Sequence, residues 1–247
     1  MNKIIEVYDL GSKDYKETWD LQEELFSQVL KIKSDNNKTQ NPISTPNKLL
    51  LVEHPPVFTL GKSGHQENLL ISQQHLNKIE ASFYKINRGG DITYHGPGQL
   101  VGYPILDLEN FFTDIHRYLR FLEEAVIMIL ADYGVKGERS EGETGVWIEP
   151  NSTAARKICA IGVRASRWVT MHGFAFNVFT DLSYFDYIIP CGIRNKGVTS
   201  LVQEIGFSEN KELLLKEVKE KFQKYFALLL EATTIKKNRD FHLGSLS

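Results

Sequence analysis

Cysteine is scarce in this chain: only Cys159 and Cys191 occur in 247 residues. Two thiols make no disulfide framework. With no export signal, both are expected to be free in a reducing cytoplasm. Long apolar runs are also missing. None approaches the roughly 20 residues of a membrane span, and the opening MNKIIEVYDLGSKDY lacks the core of a signal peptide. Charge of one sign is lacking too. A formal net charge of −2 excludes a global pull towards nucleic acid or an anionic membrane, so any basic patch must be local. The seven histidines and two cysteines show no zinc-type spacing, so no metal is expected. Internal repeats are absent. What is present is ordinary globular material, 42% hydrophobic and 24% charged, which is enough for a sizeable core. The length allows one large domain or two small ones.

Periodicity places the elements. Ile4 to Leu10 reads as a strand, and Tyr15 to Ile32 as a helix with Trp19, Leu21, Leu25, Phe26, Val29 and Ile32 on its inner face. Ser34 to Asn47 is polar and reads as a surface loop. Leu49 to Val52 reads as a strand, Ser72 as the cap of a short helix ending near Ile79, and Ser82 to Asn87 as a further strand. Leu100 to Leu108 is an apolar strand. Thr113 or Asp114 caps a helix carrying Ile115, Leu119, Leu122, Val126, Ile129 and Tyr133 on one face, and Gly134 stops it. Thr144 to Glu149 is a strand. Ala155–Trp168 and Thr170–Phe179 read as an antiparallel hairpin. Ser183 to Gly197 is irregular. Glu209 to Glu231 reads as a helix with Leu213, Leu214, Val218, Phe222, Phe226 and Leu229 inward. The tail from about Thr233 is polar and expected to fray. The pattern predicts an α+β fold, a mainly antiparallel sheet with helices on one side. With no linker-like break, it predicts one domain over residues 1–247.

The richest stretch is Arg88 to Leu100, RGGDITYHGPGQL. Glycine admits positive φ and lets a ligand approach main-chain N–H groups. The run therefore reads either as a backbone-lined cradle or as an ordinary turn before a strand. Cys191 sits between Pro190 and Gly192, which carry its thiol on a turn. Cys159, in KICAIGV, has the setting of a buried structural cysteine. A thiol of ordinary pKa near 8.5 needs a cation or base to act as a nucleophile. The candidates are Lys157, His95 and His172. Against them stand plainer readings: a strand lysine facing solvent, and turn histidines that only hydrogen-bond.

Taken together, RGGDITYHGPGQLVGYPILDL at 88–108, RKICAIGVR at 156–164, HGFAFNV at 172–178 and PCGI at 190–193 resemble the octanoyltransferases of lipoate biosynthesis, the lipoate-protein ligase B family. The resemblance implies the fold of biotin and lipoate protein ligases, a mixed and mainly antiparallel sheet flanked by helices. It implies octanoyl transfer from acylated acyl carrier protein to a lysine of lipoyl domains, those of 2-oxoacid dehydrogenases and the glycine cleavage H protein. By matching position, Cys191 is the acyl-thioester nucleophile and Lys157 activates it. Arg88, Gly89, Gly90, Asp91, Ile92, Thr93, Tyr94 and His95 line the acyl site, with Ala160, Ile161, Gly162, Gly173, Phe174 and Ala175. No cofactor is implied, because a thioester is already activated towards an amine.

Several expectations follow. Ile161, Val163, Phe174 and Phe176 are candidate walls for the acyl chain, or plain sheet core. Lys62, Arg164, Arg167, Arg194 and Lys196 are candidates for a local basic patch facing an acidic carrier protein, or solvated charges. Asp107, Glu138, Glu141 and Glu143 have solvation as their default. Three other activities compete with octanoyl transfer from the carrier protein. They are an amidotransferase acting between lipoyl domains, an ATP-dependent biotin or lipoate ligase, and a non-catalytic binding protein.

Overall fold

A computed structural model describes residues 1–189 and 196–238. The chain opens with β1 (Ile4–Ser12) and α1 (Tyr15–Asn36), then β2 (Asn47–Glu53), β3 (Val57–Leu60), the short α2 (Gln73–Lys78) and β4 (Ser82–Lys85). Next come β5 (Ile92–His95), β6 (Gln99–Ile105), α3 (Ile115–Asp132), β7 (Glu138–Ser140) and β8 (Glu143–Ile148). The hairpin β9 (Arg156–Ser166) and β10 (Val169–Asn177) follows, then β11 (Gly197–Val198), α4 (Leu201–Ile205), α5 (Lys211–Leu230) and β12 (Thr233–Lys237).

The main sheet runs β12-β1-β2-β6-β10-β9-β8-β7, with β11 also on β9. From β2 to β7 every neighbouring pair is antiparallel. β12, β1 and β11 join in parallel. A second sheet, β4-β3-β5, holds the glycine-rich region.

Helices cover both faces of the main sheet, not one. Leu49, Leu51, Leu100, Phe174 and Phe176 pack with α3 and α5. Their strand neighbours Leu50, Val52, Val101, Met171 and Ala175 pack with Leu25, Phe26 and Val29 of α1. The reason lies in β2 and β6, which are buried almost throughout. Apolar residues at odd and even positions need a cover on each side. Each such side chain contributes roughly 1.5–3 kcal/mol on burial.

The helix caps follow the sequence. Asp14, Ser72, Asp114 and Asn210 each accept a backbone N–H of the first turn, satisfying a donor the helix leaves orphaned. The β9–β10 turn falls just before the break that the sequence suggests at Val169. Arg167 and Trp168 both take positive φ, 48° and 66°, the geometry of a two-residue hairpin turn without glycine.

Other boundaries differ from expectation. α1 continues to Asn36, and β2 claims Asn47. Leu100–Leu108 is strand only as far as Ile105, after which Asp107 caps a 3-10 turn. Asp107 is buried and accepts from Lys33 and Thr45, so solvation does not describe it. Leu213 is half-exposed while Leu214 and Leu215 are buried; three consecutive leucines blur the helical phase. The tail pairs as β12 on the edge of β1 through residue 237. Its lack of apolar pattern hid it, because an edge strand is held by main-chain bonds. Among the described residues no helix is long and apolar enough to cross a membrane.

Candidate active site

The glycine-rich run is part strand, part close-packed loop. Ile92 to His95 form β5, antiparallel to β3. Before it, residues 88–91 fold against the 61–63 turn through Gly61 N–Asp91 O, Lys62 N–Arg88 O and Ser63 N–Gly90 O bonds. They also reach the hairpin, where Gly89 N–H donates to Val163 O at 3.0 Å. The approach is close enough to require glycine. A Cβ on Gly162 would lie 2.7 Å from Gly89 O, and Gly90 takes φ 85°.

Between this run and the hairpin lies a cavity of about 540 Å³. Arg88, Gly89, Gly90, Asp91, Ile92, Thr93 and His95 line it, as do Ala160, Ile161, Gly162, Gly173, Phe174, Ala175 and Lys157. Tyr94 does not. Its ring stacks on Tyr184 at 4.6 Å and packs against Phe58 and Phe185, because alternation along β5 turns it to the opposite face. Ile161, Val163 and Phe174 border the cavity, whereas Phe176 is core. Cys191 and Arg194 lie outside the described residues. Cys159 is fully buried in the α3/α5 core, and burial pushes its thiol pKa far up.

Arg88 is an internal strut. Its Nη2 donates to Thr59 O and Oγ1 at 2.7 and 3.0 Å, and Nη1 to Gly89 O at 3.0 Å. The Asp91 carboxylate accepts from Ile92 N–H and Asn68 Nδ2, both at 2.6 Å, so it fastens the run to the 66–68 turn. Gln99 donates Nε2–H to Tyr94 O and Asn177 Oδ1. Its Oε1 therefore faces His95, whose Nδ1–H donates to it at 2.8 Å.

His95 and His172 are neutral imidazoles. Burial carries each down to about 3, aided at His95 by nearby His54 and at His172 by Arg88 and Arg164. His54 is held at about 4 by burial. Bases so weak stand far from the pKa that suits proton transfer at neutral pH.

The cations are elsewhere. Lys157 Nζ lies 4.5 Å from the Trp147 ring centroid, and Lys196 Nζ lies 4.8 Å from it. Lys196 also pairs with Glu143 at 2.9 Å, so neither is a solvated surface charge. Arg164 is likewise engaged, bonded to Glu23 and set over Phe26. Lys62 and Arg167 are exposed. Sequence reading missed Trp147 and the Glu23–Asn87 pair beside His172. Trp147 had a usable signal, since TGVWIE faces KICAI across the β8–β9 pair.

An apolar-walled cavity beside a lysine, closed by a backbone-lined glycine run, suits an acyl group. The model of the lipoyl protein ligase A/B catalytic domain matches residues 14–227, and the chain belongs to that family. An octanoyltransferase of Flavobacterium psychrophilum is 63% identical over 235 residues, 95% of this chain and 100% of its own. One of Christiangramia forsetii is 64% identical over 232 residues, 94% and 98% of the two chains. Within the family the chain stands with the octanoyltransferases, acyltransferases of protein lipoylation. The solved bipartite lipoate protein ligase of Thermoplasma acidophilum has a TM-score of 0.65 at 16% identity, covering 96% of this chain and 87% of its own. At that identity the likeness shows the lipoate-ligase fold.

Proposed function

We propose that this chain, as one catalytic domain, moves an octanoyl group from acylated acyl carrier protein to a lysine of a lipoyl domain, through a thioester on Cys191. The Cys191 sulfur attacks the donor carbonyl, and the carrier thiol leaves with a proton. Lys157 takes the proton of the Cys191 thiol, or as an ammonium favours its thiolate, and in either case gives its proton to the departing carrier thiol. The acceptor lysine, neutral when it attacks, then displaces Cys191 and forms the amide, and its surplus proton passes to Lys157. No ATP enters, because the thioester already carries the activation.

The observation that carries this reading is the shared position of Lys157 and Lys196 on the cavity. Lys196 lies five residues beyond Cys191 and touches the same Trp147 ring as Lys157. Val198 pairs directly with Lys157. The chain leaving Cys191 therefore enters the described structure beside the lysine. The apolar hairpin wall suits an eight-carbon chain, whose burial contributes about 5 kcal/mol at ~0.8 kcal/mol per methylene.

The test is intact mass after mixing the protein with octanoyl-acyl carrier protein, with Cys191→Ser and Cys159→Ser alongside. An octanoyl adduct on wild type and Cys159→Ser, absent from Cys191→Ser and removed by hydroxylamine, is the expected result. Labelling only from an octanoylated lipoyl domain would replace the donor. Turnover of free octanoate with ATP by Cys191→Ser would replace the mechanism.

A further inference from the structure

The segment leading to Cys191 is laid on residues 68–70. Leu182–Tyr187 form a 3-10 turn. Tyr187 O then accepts from Leu70 N–H at 2.9 Å, Ile188 bridges antiparallel to Leu69, and Ile189 N–H donates to Asn68 O at 2.8 Å.

Asn68 is tied in turn to the glycine-rich run. Its Nδ2 donates to Asp91 Oδ2 at 2.6 Å, while Asp91 Oδ1 accepts from Ile92 N–H at 2.6 Å. Both residues are half-buried, and hydrogen bonds to a carboxylate are stronger than neutral ones. The carboxylate rests on Gly64, where a Cβ would lie 2.4 Å from Oδ1. Tyr94, on the same run, stacks on Tyr184 at 4.6 Å and meets Phe185 edge-on at 5.6 Å, both within the 3-10 turn. The run that borders the cavity therefore also holds the approach to Cys191.

Chain length decides which tether governs the thiol. From Ile189 to Cys191 is two residues, about 7 Å of extended chain at most. From Lys196 back to Cys191 is five, up to about 18 Å. The entry side restricts Cys191 more than the exit side, and the entry side ends on Asn68.

We propose that Asp91 is a positioning residue: through Asn68 it sets Ile189, and hence the nucleophile two residues on, against the acyl cavity. The inference rests on the proposed thioester at Cys191. An octanoyl chain seated in the cavity fixes its own carbonyl, so the sulfur must be brought to it. A misplacement of about 1 Å can cost on the order of 10²-fold in rate. An acetyl group is too short to be fixed in that way, and its carbonyl can follow the sulfur. Asp91 touches no reacting atom; it acts by where it holds Asn68.

The experiment measures saturated rates of enzyme acylation by octanoyl- and acetyl-acyl carrier protein, using quenched intact mass. Carrier docking and thiol reactivity are common to both donors and cancel in the ratio of the two rates. The proteins compared are wild type, Asp91→Ala, Asn68→Ala and the exchange of Asp91→Asn with Asn68→Asp. Each alanine variant is expected to lower the octanoyl rate by about 10- to 100-fold and the acetyl rate by less than about threefold. Asn68→Ala is the cleaner of the two, because Asn68 is not among the residues that line the cavity. The exchange rebuilds the amide–carboxylate bond in reverse and should recover the octanoyl rate to within about fivefold of wild type. Octanoyl rates unchanged in both alanine variants would overturn the proposal. So would equal losses on the two donors, which would mark a general loosening of the fold. An exchange variant no faster on octanoyl than the alanine variants would overturn it as well. Absence of an octanoyl adduct on Cys191 of the wild type would instead remove the underlying reading.

Discussion

Lys157 Nζ sits 4.5 Å from the centroid of the Trp147 ring, and the two residues are partners across the β8–β9 pair. The backbone therefore sets this contact, and the ring orients the ammonium. A cation–π pair that is partly withdrawn from solvent contributes roughly 0.5–2 kcal/mol.

Replacing the ring tests that orientation. Trp147→Phe keeps an aromatic face and should slow acylation of the enzyme by no more than about tenfold. Trp147→Leu removes the face and should slow it roughly 10- to 30-fold, from the upper range of the interaction. Quenched intact-mass time courses measure both, and thermal unfolding checks the core. Equal rates for the two variants would deny the ring its role.

Lys157 itself separates two chemistries. Arginine keeps the positive charge but cannot give up its proton near neutral pH. Lys157→Arg should preserve much of the rate of Cys191 alkylation by iodoacetamide. It should still lose roughly 10²–10⁴-fold in complete transfer, the usual contribution of a positioned proton carrier. Lys157→Met should lose both. Full turnover by the arginine variant would reduce Lys157 to a charge.

The buried histidines predict an acid-labile fold. His54 is held at about 4 and His95 and His172 at about 3, against an ordinary value near 6.5. Folded pKa values below the unfolded one mean that the unfolded chain binds protons first as pH falls. Stability is then complete above about pH 6.5 and declines towards pH 3–4, by up to ~1.4 kcal/mol per pH unit for each histidine. Urea midpoints at pH 7.5 and 5.5 should differ clearly, the lower value at 5.5. A level profile would show that these imidazoles are not kept neutral by the fold.

Gly162 predicts a steric failure. An added methyl would press into Gly89 O, a backbone atom 2.7 Å away. Gly162→Ala should destabilise by about 1–3 kcal/mol through overpacking and push the glycine run off the hairpin. Gly134→Ala is the comparison, since nothing stands within 4 Å of its Cβ although φ is 72°. It should lose stability to strain but keep transfer activity. Loss of activity in both would point to general destabilisation.

Much of this protein was legible in one dimension. Helical periodicity placed α1, α3 and α5, and capping side chains marked the starts of α2 and α3, because both signals are local. The hairpin was visible because two long β-rich runs meet at a short break. The glycine-rich run, the 156–164 and 172–178 strands and Lys157 were legible as motifs, and the fold brings them to one cavity. The tertiary structure decided what depends on partners distant in the chain. It turned Tyr94 away from the cavity, covered the second face of the sheet with α1, and recruited residues 233–237 onto the edge of β1. It also set Trp147 under two lysines and tied Asp91 through Asn68 to the approach to Cys191. None of these follows from spacing along the chain, because each is a hydrogen bond or packing contact between segments that only folding brings together.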